Sequence, residues 1–188
     1  MAARGSFDPR AALAALERNY VDYVVIGGLA RVLRGADEVT DGLDICPLCS
    51  AVNLDRLGAA LGELGVRGRG RGSGLDAKLA DQPVVGVTTE AGALNLIASS
   101  TGAANGFVDL RRGASKEDLG GGLRPLVAST GDLARMAAAL GRDRDLARLR
   151  ELRRIMELEV GREPIVGGAP ASSPATGRRA TRSPRISR

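Results

Sequence analysis

The chain has 188 residues, 44% of them hydrophobic, but only two Phe, two Tyr and no Trp. It is long enough for one domain with a core of Leu, Val, Ile and Ala, and too short for two of ordinary size. The net charge of +5 is carried by residues 161–188, which hold six Arg and one Glu, so the rest of the chain is electrically balanced. No apolar run approaches the roughly eighteen residues of a membrane helix, and the N-terminus lacks a signal-peptide apolar stretch. These features predict a cytoplasmic protein with no membrane contact.

Asp8-Pro9 followed by Arg10 to Asn19 predicts a helix with Asp8 as N-cap and Pro9 at its first position. Tyr20 to Ile26 is rich enough in Val and Ile for a strand buried on both faces. Gly27 and Gly28 end it, and Leu29 to Arg34 is a short helix closed by Gly35. After a polar loop at 36–40 comes a short strand, Leu43 to Cys46, which Pro47 ends because its nitrogen has no proton for the ladder. Leu54, Leu57, Leu61 and Leu64 mark a helix over Asn53 to Leu64, with Gly65 after it.

Pro83 to Thr88 and Ala93 to Ala98 are strands joined by the turn Glu90-Ala91-Gly92, forming a hairpin or extending the sheet of the first two. A short helix over Gly106 to Arg112 and a last strand over Leu123 to Ala128 follow. Thr130 then caps a helix from Gly131 to Leu140, and Gly141 breaks it. Asp143 to Glu159 is a final amphipathic helix with Leu146, Leu149, Leu152, Ile155 and Met156 on one side. Strands interleaved with helices predict an α/β (α+β) domain over 1–160, with a mixed central sheet flanked by helices and helices at the C-terminal end. From Gly161, Pro, Ser, Ala, Thr and Arg dominate, which predicts a disordered basic tail over 161–188.

Three features have two readings each. Cys46-Pro-Leu-Cys49 is either a redox pair with a lowered thiol pKa or two reduced cysteines; with no His and no further Cys, the usual ligands of a structural zinc site are lacking. The Arg-Gly tract at 67–74 is either a phosphate-contacting segment or a loop. The tail either tracks nucleic acid electrostatically or is solvated.

Val24-Val25-Ile26-Gly27-Gly28-Leu29-Ala30, Gly35 and Thr40-Asp41-Gly42-Leu43-Asp44-Ile45 together resemble the nucleotidyltransferase superfamily of the polymerase-β type. The likeness is to its small bacterial branch of minimal nucleotidyltransferases and toxin-like proteins of type IV toxin and antitoxin pairs. In that family a Gly-Gly or Gly-Ser pair precedes Asp-x-Asp by roughly a dozen residues, and thirteen separate Gly28 from the position of the first acid here. Asn53 to Leu64 is similar to the helix after the acid motif, Ala91 to Leu96 to the strand bearing a third acid, and Val127 to Asp145 to the C-terminal helical segment.

The resemblance implies transfer of a nucleoside monophosphate from an NTP to an RNA, such as tRNA, or to a protein. Its metal chemistry uses Mg²⁺ held by carboxylates. By this likeness Asp44 is the catalytic acid and Gly27 and Gly28 face the nucleotide phosphates. Arg142, in Gly141-Arg142-Asp143-Arg144-Asp145, either contacts phosphate too or simply opens a helix whose Asp143 and Asp145 suit its N-terminus. Asp44 and Asn95 stand at metal positions.

The chain also departs from the family pattern. Gly42 occupies the first acid position, Asn95 the third, and Ala137 stands where the branch often has lysine. Asp41 is beside the vacant place but faces the other side of a regular strand unless Gly42 makes a bulge that re-aims it as a second catalytic acid. The resulting expectation is a nucleotidyltransferase-like protein with weakened or lost transfer activity; the alternative is a non-catalytic nucleic-acid or partner-binding protein acting through its basic tail.

Overall fold

The structure, a computed structural model, describes residues 7–66, 74–99, 102–141 and 143–161. The Arg-Gly tract through 73, Arg142 and the tail from 162 onward therefore lie outside the described residues. Helix α1 (Pro9–Arg18) starts as its sequence dictates: Asp8 accepts the Ala11 N–H at 3.0 Å and Pro9 fills the first turn. Strand β1 (Tyr23–Ile26) leads into α2 (Gly27–Leu33), then β2 (Gly42–Pro47) and α3 (Ala51–Glu63). Helix α4 (Leu75–Asp81) precedes the hairpin β3 (Val84–Thr89) and β4 (Gly92–Ile97). The chain continues through α5 (Phe107–Gly113), the two-residue strands β5 (Ser115–Lys116) and β6 (Leu126–Val127), α6 (Thr130–Leu140) and α7 (Asp143–Val160).

The strands form one mixed sheet in the order β3-β4-β2-β1-β6-β5. β1 runs antiparallel to β2, while β2 and β4 are parallel neighbours. The hairpin and the continued sheet are thus the same object, because β4 pairs with β3 on one side and β2 on the other. Helices α1, α3 and α4 contact one another in sequence and lie against β2 and β3. Alternate strand positions, among them Leu43, Ile45, Leu94 and Leu96, are almost wholly buried, as a period of two requires for the covered face. Among the described residues no helix is long and apolar enough to cross a membrane.

Several element boundaries differ from the sequence reading, each for a local reason. β1 begins at Tyr23, not Tyr20, because Tyr20 adopts a left-handed φ of 55° that closes α1. The Tyr20 and Val21 N–H groups bond back to Glu17 and Leu16, consuming donors that a strand would need. Ser129, not Thr130, caps α6 by accepting the Asp132 N–H at 3.1 Å. The last strand shrinks to Leu126–Val127: Leu119 and Leu123 close a turn instead, and Pro125 has no N–H to offer. The short helix α4 was not expected; its Leu75 and Leu79, one turn apart, are both buried.

Asn53 explains why α3 docks where it does. Its amide, 1% exposed, accepts the Asp22 N–H at 2.7 Å and donates to the carbonyls of Asp22 and Leu48 at 2.8 Å each. One side chain therefore ties the entry to β1 to the exit from β2. Asn53→Ala leaves these backbone groups without partners and is expected to cost about 2–3 kcal/mol, measurable as a lower urea midpoint at unchanged m-value.

Candidate functional site

Sheet register alone brings the expected site together. Ile26 is opposite Asp44 on β2, and Asp44 is opposite Asn95 on β4, so the side chains of this row share a face. Asn95 Nδ2 donates to Asp44 Oδ1 at 2.7 Å. At the end of β1, Gly27 has a φ of 66°, and a Cβ there would lie 1.9 Å from Asp44 Oδ2. The glycine thus makes room for the carboxylate as well as for the turn. A Cβ on Gly28 would lie 2.7 Å from Thr40 Oγ1, which donates to the Gly42 carbonyl at 3.0 Å. The Gly-Gly pair lets the approach to β2 close tightly over α2.

These residues line a cavity of about 1120 Å³ that contains Gly27, Gly28, Asp41, Asp44 and Asn95. Asp41 arrives without the bulge at Gly42 that would have re-aimed it. The β2–β4 register runs unbroken from Gly42 through Ile45, so the ladder has no extra residue at Gly42. Asp41 precedes the strand, is exposed, and reaches the cavity at its rim. A Cβ at Gly42 would sit 3.2 Å from the Ala93 carbonyl oxygen, so any side chain in the first acid position must push β4 away slightly. Arg142 is outside the described residues.

A second group in the cavity was not singled out from the sequence. Arg31 on α2 holds Glu38 Oε1 through two nitrogens at 2.9 and 2.8 Å. Arg148 on α7 lies 3.6 Å from Glu38 Oε2 and 3.2 Å from Asp145 Oδ1, and Asp145 is buried. Glu151 adds a tether by accepting the Asp37 N–H at 2.8 Å. Helix α7 thereby contributes Asp145 and Arg148 to the cavity wall. Only the three-residue spacing of Asp145 and Arg148 was visible locally; pairing across more than a hundred positions leaves no trace in one sequence.

The donor set does not fit a two-Mg²⁺ centre. Among the described residues no group of three or more His, Cys, Asp or Glu side chains is placed to hold a metal. Asn95 turns an N–H toward Asp44, so the two side chains share a hydrogen bond where metal bridging would require both to present oxygen. No chemical step is therefore assigned to a metal here.

The two cysteines are free thiols in this structure. Cys46 is buried, Cys49 exposed, and the two are not bonded to each other. Burial pushes the Cys46 thiol up to about 12, with the nearby Cys49 adding to the rise, and desolvation raises Cys49 as well. Redox activation needs the opposite shift. A thiol reagent at pH 8 is expected to modify Cys49 in the native protein and Cys46 only after denaturant is added, which mass spectrometry of the labelled peptides checks.

A scan against models of known protein families gives no match, and a search among curated proteins gives no significant match.

Proposed function

We propose that this is a nucleotidyltransferase-like protein that binds a nucleoside triphosphate in the cavity above Gly27 and Gly28. Transfer of the nucleoside monophosphate to an RNA or protein acceptor is weakened or lost. The observation that carries this reading is the Asn95–Asp44 hydrogen bond of 2.7 Å. The cavity keeps the family's order of strand, Gly-Gly turn and acid, but a neutral amide has taken the third acid's place against Asp44. In-line phosphoryl chemistry depends on divalent ions to neutralise charge in the transition state. One carboxylate on β2 facing an amide on β4 supplies too little charge to gather them. This reading takes the protein to be cytoplasmic, where nucleoside triphosphates are abundant.

The test has two arms. Calorimetric titration with each NTP is expected to show binding, while incubation with labelled NTP and tRNA is expected to leave label transfer at background. Robust transfer that disappears in Asp44→Ala would overturn the impaired reading, and absence of NTP binding would overturn the nucleotide reading. The variant Asn95→Asp provides an independent check. It sets two carboxylates against each other, so repulsion lowers stability in EDTA. Millimolar Mg²⁺ is expected to raise the melting temperature of this variant by about 3 °C through preferential binding to the folded state, with little change for the unsubstituted chain.

A further inference from the structure

Glu38 occupies a position that an anionic ligand could use. It lies in the connector between α2 and β2, and both its oxygens face guanidinium groups, Oε1 at Arg31 and Oε2 at Arg148. Those two arginines come from different walls of the cavity, α2 and α7. Arg31 and Glu38 are largely sequestered, at 13% and 17% exposed, while Arg148 is partly open to solvent at 37%. The connector is tethered on either side, by the Asp37 N–H to Glu151 and by Thr40 to the Gly42 carbonyl, but the next residue, Val39, is 99% exposed and adds no apolar packing. Moving Glu38 outward therefore sacrifices ion pairs but almost no apolar packing.

We propose that Arg31 and Arg148 form the phosphate subsite of the cavity, and that Glu38 is a resident counter-anion which a polyphosphate displaces on binding. The assignment rests on the nucleotide reading above and specifies which groups receive the phosphates. Guanidinium forks match phosphate oxygens and can donate two bonds to each group. A polyphosphate presents more acceptors and more charge to the pair than one carboxylate does, so the exchange gains where a neutral ligand would only lose Glu38. With Glu38 seated, the described lining has four carboxylates, Glu38, Asp41, Asp44 and Asp145, against the guanidinium groups of Arg31 and Arg148. A polyanion entering that arrangement is repelled, and withdrawal of Glu38 lowers the negative charge, frees the Arg31 fork and removes one of the two carboxylates that face Arg148, Asp145 being the other.

Titration of the full chain with inorganic pyrophosphate and, separately, with ATP tests the exchange at fixed low ionic strength. Glu38→Gln keeps the side-chain shape and is expected to tighten pyrophosphate binding by about tenfold, one decade of affinity. Arg31→Gln or Arg148→Gln added to that variant is expected to abolish the gain. Asp41→Asn removes the same charge from the same cavity without releasing an arginine, and a change under about threefold is expected. Circular dichroism verifies that each variant is folded, and the half-exposed Arg148 keeps the test available if Arg31→Gln is not.

Equal gains in Glu38→Gln and Asp41→Asn would overturn the proposal, because general charge reduction would then explain both. A gain that survived loss of either arginine would overturn it too. ATP binding to the unsubstituted chain with no response to any of these variants would remove the subsite and leave the nucleotide reading standing. Tight pyrophosphate binding by Glu38→Gln without ATP binding anywhere would do the reverse, and absence of binding by every variant would remove both.

Discussion

Replacing Gly27 by alanine is expected to destabilise the protein by about 3 kcal/mol and to eliminate nucleotide binding. Two costs combine. The φ of 66° is in the left-handed region, where a Cβ costs about 1–2 kcal/mol. The new methyl group would also lie 1.9 Å from Asp44 Oδ2 and 2.8 Å from Asp44 Cβ. Rotating the carboxylate relieves the first contact but not the second, and rotation breaks the bond from Asn95. The remaining overlap must be absorbed by moving α2 away from β2, which opens the floor of the cavity.

Gly28→Ala provides the contrast. Gly28 has no left-handed φ, and its added Cβ would meet Thr40 Oγ1, the end of a rotatable side chain, at 2.7 Å and Thr40 Cβ at 3.0 Å, a contact that a few tenths of an ångström of loop movement relieves. The expected loss is about 1 kcal/mol, the value of the Thr40 hydrogen bond. Urea unfolding of both variants decides the matter: equal losses at the two positions would show that Asp44 is not what makes Gly27 obligatory. In an Asp44→Ala background, the Gly27→Ala loss should shrink toward its backbone part.

Residues 44 and 95 show how much of this site was legible in the sequence. Strand periodicity and the Glu90-Ala91-Gly92 turn were enough to place β3 and β4, because their information is local. The adjacency of Asp44 and Asn95 was legible only through the likeness of two separated motifs to one family. Register then made it physical, setting residue 44 beside 95. The Arg31–Glu38–Arg148 group had no such aid, since Glu38 and Arg148 are more than a hundred positions apart in the sequence. Tyr20 shows the opposite failure: its β-forming side chain suggested strand, but the hydrogen bonds closing α1 determined its backbone. Helix α4 was hidden because it follows a glycine-rich stretch and is just two turns long, with Leu75 and Leu79 its only buried residues.

The second large effect is expected at Leu152. The final helix was predicted to bury Leu146, Leu149, Leu152, Ile155 and Met156, yet Leu146 is 50% exposed and Met156 37% exposed, while Leu152 is fully buried. Helix α7 is therefore held by a narrow apolar contact, with half-buried Leu149 beside Leu152, and by polar tethers to Asp37, Glu38 and, through Glu159, Thr130. Leu152→Ala is expected to cost about 2–3 kcal/mol, the lower part of the range for buried leucines. The loss is limited because α7 can detach locally without unfolding the sheet. Detachment carries Asp145 and Arg148 out of the cavity, so ATP binding should weaken as much as it does in Arg148→Gln. Leu146→Ala removes the same atoms from a half-exposed site and should cost under about 1 kcal/mol. Hydrogen exchange separates these consequences: in Leu152→Ala, protection is lost along α7 and retained in β1, β2 and β4. If Leu146→Ala matched it, the docking face of α7 would be the broad one predicted from helical spacing, and the cavity wall would not depend on Leu152.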